Sequence, residues 1–184
     1  IYNTGTLTIL SDTTTTEFNG NYARYHGGAI YNTGTETITD TNFENNTSEY
    51  GGAIVNGATT SSTELTNTNF TTNNAHYGDG VGGEGGAIYN VGTFTITTST
   101  FTSNTADNKG GAIAHKLGTT TLTDTTFENN NAYYGGAIFS KANLNILDST
   151  FNTNNATTGG ALFNNNTATI TNTQFNTNNA TWGG

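Results

Sequence analysis

The chain contains no cysteine, no proline and no methionine. Without cysteine there is no disulfide framework, no thiolate metal site and no cysteine nucleophile. Positive charge is almost as scarce: 4 Lys and Arg stand against 13 Asp and Glu in 184 residues, a net charge of −9. Nucleic-acid binding needs a basic footprint, so no nucleic-acid partner is expected. Charged residues make up only 9%, and the polar surface must therefore be built from amides and hydroxyls. No run of 18 apolar residues occurs, which excludes a membrane-spanning helix. The chain does not open on the basic-then-apolar pattern of a secretion signal. Ile, Leu, Val and Phe together number 32, fewer than an ordinary globular core requires, and composition alone points toward disorder.

What is abundant overturns that reading. Thr, Asn and Gly supply 43, 30 and 24 residues, and they recur in a fixed order. Seven units are visible: 1–26, 27–50, 51–84, 85–109, 110–134, 135–158 and 159–182, with Gly183-Gly184 opening an eighth. All units after the first begin Gly-Gly-Ala. Each carries three apolar anchors. The first is Ile1, Ile30, Ile54, Ile88, Ile113, Ile138 and Leu162; the second is Ile9, Ile38, Leu65, Ile96, Leu122, Ile146 and Ile170. The third is Phe18, Phe43, Phe70, Phe101, Phe127, Phe151 and Phe175, each followed three residues later by Asn. Sparse apolar residues in strict register are a repeat signature, not disorder.

Inside a unit the period is two. Segments such as Thr35–Thr39 (TETIT) and Thr93–Thr97 (TFTIT) alternate small polar and apolar residues, as strands with one buried face do. Thr, Ile and Phe favour strands, whereas Thr, Asn and Gly are poor helix formers. Three short strands per unit, with Gly-Gly, Asn-Thr-Gly and Asn-Asn at the corners, make one turn of a coil. One coil cannot bury its anchors, but a stack turns them into columns. The expected fold is all-β: a single right-handed parallel β-helix over 1–184, about seven coils of 24–25 residues. Right-handed coiling follows the crossover rule for parallel strands. At roughly 4.8 Å per coil the rod would be on the order of 34 Å long. Gly-Gly suits a corner requiring positive φ or close backbone approach, and the Asn of F-x-x-N is expected to turn inward as a ladder. Unit one carries an insertion around Ser11 to Glu17, and unit three an extra Gly-rich segment at Gly78 to Glu84. Such insertions leave a solenoid as side loops, where binding function is often placed.

The paired GGA[I/L] and F-x-x-N motifs resemble the repeats of chlamydial polymorphic outer-membrane proteins. The fuller unit GGAIYNTGTETITDTNFENNTSEY, Gly27 to Tyr50, is similar to repeats in adhesin-like surface proteins of methanogenic archaea. The resemblance covers the whole chain. It implies a right-handed β-helix displayed outside the cell, used as a stalk or surface for attachment to a host, to neighbouring cells, or to a glycan or protein on them. It transfers no catalytic residue. Chlamydial relatives often place Cys among their repeats, which this chain lacks. The chain starts inside one motif and stops inside another, so it reads as a section of a longer protein.

Several residues bear on possible chemistry. The slot two after the second anchor reads Ser11, Asp40, Asn67, Thr98, Asp124, Asp148 and Asn172. Asp124 and Asp148 should stack in adjacent coils, where paired carboxylates can shift a pKa or hold a cation. The alternative is a plain Asx corner, since Asn and Thr take the same slot elsewhere. His26, His76 and His115 fall in different coils without ligand spacing. No catalytic residue, metal or cofactor is expected. The residue after the first anchor points outward by alternation and includes Tyr2, Tyr31, Tyr89, Phe139 and Phe163. The corner before Gly-Gly adds Tyr25, Tyr50, Tyr77, Tyr134 and Trp182. Together they predict a partly exposed aromatic strip, a contact surface for sugar or protein, unless Tyr merely covers the glycine backbone. Threonine ranks on the second strand resemble ice-binding solenoids, although strand propensity alone explains them. Sequons at Asn45, Asn46, Asn69, Asn155, Asn165 and Asn179 are candidate glycan acceptors on a secreted protein. The preferred function is a non-catalytic extracellular adhesin-like surface protein. Competing readings are a structural unit associating end to end or laterally into a filament or sheath, and a polysaccharide-acting enzyme.

Overall fold

The computed structural model describes residues 1–12, 14–78 and 80–184. Among them there are strands and turns and no helix. The strands join into four parallel sheets, three of seven strands and one of six. Every sheet is assembled from one strand of each successive coil, which is a parallel β-solenoid. The fourth coil shows the plan: Ile88–Asn90, Thr93–Thr97, Thr100–Thr102 and Thr105–Ala106 lie one in each sheet.

Register follows the anchors. Ile30, Ile54, Ile88, Ile113, Ile138 and Leu162 pair in order along the first sheet. Phe18 to Phe175 pair in order along the third. The seven phenyl rings form one pile, with centroids 4.7–4.9 Å apart and planes within 7° of parallel. Each ring repeats the strand spacing and packs offset against its copies, the arrangement aromatic pairs prefer. Ile38, Leu65, Ile96, Leu122 and Ile146 complete a buried core beside it.

The fourth sheet departs from the three-strand expectation. Its strands are short, beginning with Thr47–Ser48 and Asn74–Ala75, and they follow the F-x-x-N asparagine directly. Their inward residue is small: Ser48, Ala75, Ala106, Ala132 and Ala156 are all buried. Ala75, Ala106 and Ala132 form a small cluster apart from the main core, and Ser48 Oγ donates to the carbonyls of Tyr50 and Gly51 at the Gly-Gly corner that follows.

The corners explain the remaining composition. Among the described residues, twelve non-glycine residues have positive φ, and they form two columns. Asp40, Asn67, Thr98, Asp124, Asp148 and Asn172 sit at φ 49–52°; Asn45, Thr72, Ser103, Asn129, Thr153 and Thr177 sit at 51–56°. Gly20 takes the second corner in the first coil. Left-handed backbone favours Asn and Asp among non-glycine residues, so Asp124 and Asp148 occupy the Asx-corner role. At the Gly-Gly corner, Gly85 has φ +72°, and a Cβ on Gly86 would lie 2.0 Å from the Gly111 carbonyl oxygen. Conformation demands the first glycine and space the second.

Two asparagine ladders run through the interior. The corner ladder joins Asn21, Asn46, Asn73, Asn104, Asn130, Asn154 and Asn178. Each Nδ2 donates to Oδ1 of the next coil at 2.8–3.1 Å. From Asn46 onward each Nδ2 also donates to a Phe carbonyl of the preceding coil, as Asn104 does to Phe70 at 2.9 Å. A second ladder lies two residues after the first anchor. Asn3, Asn32, Asn56 and Asn90 are linked Nδ2 to Oδ1. It breaks where the column continues with His115 and Ser140. His115 Nδ1 lies 3.2 Å from Ser140 Oγ, while Nε2 is buried with no partner. Burial lowers the His115 pKa to about 4 and keeps the ring neutral near pH 7. Among the described residues the other orphaned buried side-chain atom is Glu36 Oε1. Glu36 Oε2 accepts from Thr63 Oγ1, which itself accepts from Asn32 of the broken ladder. Burial pushes Glu36 up to about 7, partly offset by the Thr63 hydroxyl.

Candidate functional site

Three columns outside the first sheet build a continuous strip. The residue after the first anchor reads Tyr2, Tyr31, Val55, Tyr89, Ala114, Phe139 and Phe163 in register. The residue before Gly-Gly reads His26, Tyr50, Glu84, Lys109 and Tyr134, joined coil to coil by single bridges. The third column, three residues after the anchor, includes Lys116 and Lys141.

The rings touch across columns. Tyr2 meets Tyr31 with centroids 5.2 Å apart, and His26 stacks between Tyr31 and Tyr50 at 5.4 Å from each. Tyr50 meets Tyr89 edge-on at 5.2 Å. Farther along, Phe139 stacks on Phe163 at 5.2 Å, and Tyr134 meets Phe163 edge-on at 5.5 Å. Between the two groups Ala114 supplies only a methyl, and Lys116 spans the gap. Its Nζ lies 6.0 Å from the Tyr89 centroid and 5.5 Å from that of Phe139.

Exposure along the strip is uneven. Tyr2 and Trp182 are 67% and 70% exposed; Tyr31, Tyr50, Tyr89, Tyr134 and Phe163 are half-buried. Phe139 is buried, at 2%. Trp182 pairs with Thr158 in the fourth sheet, two coils beyond Tyr134. Burial and the Glu84 charge push the Tyr89 phenol up to about 12, and burial raises Tyr50 too. Both hydroxyls stay protonated and can donate at neutral pH.

Of the expected members of the strip, one lies elsewhere and one sits beside its column. His26, not Tyr25, takes the register position opposite Tyr50, and Tyr25 lines a cleft with Tyr2 and Tyr31. Tyr77 belongs to the inserted loop, where it bridges Gly82 antiparallel; Glu84 takes the place before Gly-Gly. Sequence reading missed this because the insertion moves that corner seven residues down the chain. Thr13 and Asp79, one in each insertion, lie outside the described residues. The Gly-rich insertion ends by delivering Glu84 to the strip. There its carboxylate accepts from Lys109 Nζ at 2.7 Å and Lys116 Nζ at 2.8 Å.

The sequons separate by the same geometry. Asn45, Asn155, Asn165 and Asn179 are exposed, and Asn69 is half-buried. Asn46 is fully buried and its Nδ2 donates to Phe18 O and Asn73 Oδ1. As a rung of the corner ladder it is not accessible for glycosylation in the folded chain, which corrects the expectation drawn from its tripeptide.

Every coil thus repeats one block: Phe strand, ladder asparagine, Gly-Gly corner, first-sheet strand. Four segments match the Chlamydia polymorphic membrane protein repeat. They are residues 15–33, 40–57, 98–116 and 124–141, together less than half of the chain. Each match to the polymorphic membrane protein repeat runs through that block. It holds a ladder asparagine (Asn21, Asn46, Asn104 or Asn130) and a strip position (Tyr31, Val55, Ala114 or Phe139). The repeat resemblance therefore rests on the residues that close the corner and place the strip. No curated protein and no solved structure matches the chain.

Proposed function

We propose that this solenoid is a non-catalytic, extracellular, adhesin-like contact surface that binds a glycan or protein on a host or neighbouring cell. The observation carrying this reading is the run of ring contacts from Tyr2 to Tyr89, set on a sheet whose register is fixed by the buried columns beneath it. Aromatic side chains with polar tips give apolar area and hydrogen-bonding ends at low entropic cost, which suits contact surfaces. Similarity to a repeat named for membrane proteins supports a place at the cell surface. A non-catalytic role is supported at Asp124 and Asp148, whose left-handed corners are filled equally by Asn67, Thr98 and Asn172. The test is glycan-array binding by the wild-type chain and by Tyr31→Ala/Tyr89→Ala, with circular dichroism as the folding control. Loss of binding in a folded double variant supports the reading. Undiminished binding without both rings would overturn it.

A further inference from the structure

All three lysines of this acidic chain meet on one phenyl ring. Lys109, Lys116 and Lys141 place their Nζ atoms 5.5, 5.5 and 5.9 Å from the Phe139 centroid. They come from three successive coils and two different columns, so no local sequence feature gathers them. Covering Phe139 explains why their aliphatic stems lie there. It does not explain why three of four basic residues in a chain of net charge −9 converge on one spot. Glu84 is the carboxylate paired with Lys109 and Lys116, and among the described residues Lys141 has no carboxylate within ion-pair distance. The patch therefore carries three ammonium groups against one carboxylate. Burial, together with the charges of Lys109 and Lys141, lowers the Lys116 pKa, while Glu84 opposes the shift. Beside the lysines a cleft of about 330 Å³ opens, lined by Lys109, Tyr134, Phe139, Lys141, Phe163 and Asn165.

From this placement we infer that the lysine-flanked cleft is a subsite for a sugar ring bearing a carboxylate, within the contact surface proposed above. The ring's C–H face would lie on the half-buried Phe163 and Tyr134. The carboxylate would meet Lys141 and Lys109, and Asn165 stands at the rim for hydroxyls. Three aromatic rings, Tyr134, Phe139 and Phe163, with polar ends from Lys109, Lys141 and Asn165 beside them, combine the apolar surface and the orienting groups that a small-ligand site needs. Lysine heads are compact point charges on flexible stems, so they can meet an anionic group without imposing a bidentate geometry. A bare acidic peptide would leave the ring faces unused.

The inference rests on the strip being a contact surface, and calorimetric titration separates the two. Probes are an oligogalacturonate, its methyl ester, a sulfated neutral oligosaccharide and poly-glutamate. Wild type should bind the oligogalacturonate, about tenfold more tightly than its methyl ester, and more weakly as salt screens the lysines. Exposed Lys141→Gln should weaken binding about tenfold, whereas Thr100→Ala, exposed on the third sheet away from the strip, should leave it unchanged. Equal affinity for acid and ester, no effect of Lys141→Gln, or tighter binding of the sulfated sugar or poly-glutamate would each overturn the carboxylate-sugar subsite. If neutral glycans bind through Tyr31 and Tyr89 while the oligogalacturonate does not, the subsite fails and the contact surface stands. If no glycan of any charge binds, both fail.

Discussion

The two interior ladders use the same side chain and hold their coils differently. In the corner ladder each middle asparagine is committed on every side. Asn104 Oδ1 accepts from Asn73 N and Nδ2, and its own Nδ2 donates to Asn130 and to Phe70 O. In the second ladder Asn56 Oδ1 accepts only from Asn32 Nδ2, which also donates to Gly34 O, Ser62 O and Thr63 Oγ1. The first ladder runs unbroken through seven coils; the second stops at His115. Both orphaned buried polar atoms among the described residues lie beside the second. Both ladders hold backbone groups, but not the same ones. A corner rung bonds the backbone of neighbouring coils, so its loss strands a buried group there. Rungs of the second ladder also bond the backbone two residues on, as Asn32 does with Gly34 and Asn90 with Gly92. Ser140 makes the same local bonds to Ala142 O and N, so residue type can change in that column.

Breaking the first ladder should have the largest effect. Asn104→Leu strands Asn73 N and takes the side-chain donor from Phe70 O, while Asn130 Oδ1 keeps the backbone N–H of residue 104. At about 1–3 kcal/mol for each unsatisfied group, the loss is roughly 4 kcal/mol or more. Thermal denaturation should shift down by roughly 10 °C. The matched Asn56→Leu should cost about half as much, roughly 2 kcal/mol by urea titration, since Asn32 keeps other acceptors. Equal losses at the two sites would erase the distinction.

The orphaned groups sharpen the comparison through pH. His115 is held below its ordinary 6.5, so its contribution is full above 6.5 and is lost as pH falls toward about 4. Glu36 is held above its ordinary 4.5, so its contribution is full below 4.5 and is lost as pH rises through about 7. Between 4.5 and 6.5 the two slopes oppose each other. Relative to wild type, His115→Asn should gain stability as pH falls below 6.5, and Glu36→Gln should gain as pH rises from 4.5 to 7. A tenfold difference in proton affinity between the folded and unfolded chain is worth about 1.4 kcal/mol. Variant and wild-type stability curves that stay parallel would remove both groups from the account.

The smallest effect is expected outside both ladders. Thr98 is β-branched at φ 49°, in a column otherwise filled by Asp and Asn. Thr98→Asn should stabilise by roughly 0.5–1 kcal/mol, visible as a later denaturation midpoint.

The coil itself was legible because Phe and Asn recur at one spacing, and each needs the interior for its own reason. The fourth strand was not, because its mark is one small residue two positions after the ladder asparagine, such as Ala75 or Ala106. The second ladder stayed hidden in a chain where Asn is everywhere, and His115 and Ser140 interrupt its column. Aligning units by register rather than scanning for motifs would have shown it. The same holds for the lysine patch. Glu84, Lys109, Lys116 and Lys141 span 58 positions of the chain and become neighbours only when coils are stacked. The Tyr77 expectation erred, and Tyr25 stands beside the bridge column rather than in it, for a related reason: proximity to Gly-Gly in sequence does not settle which residue enters that column.

The corner ladder has a direction. Every link from one side-chain amide to the next points its N–H toward the coil with the higher residue numbers. Their dipoles add along the rod rather than cancel, as peptide units do in a helix. Within this column each Oδ1 faces the lower-numbered coil and an Nδ2–H faces the higher-numbered one. A rung inserted in the reverse sense would set donor against donor on one side and acceptor against acceptor on the other.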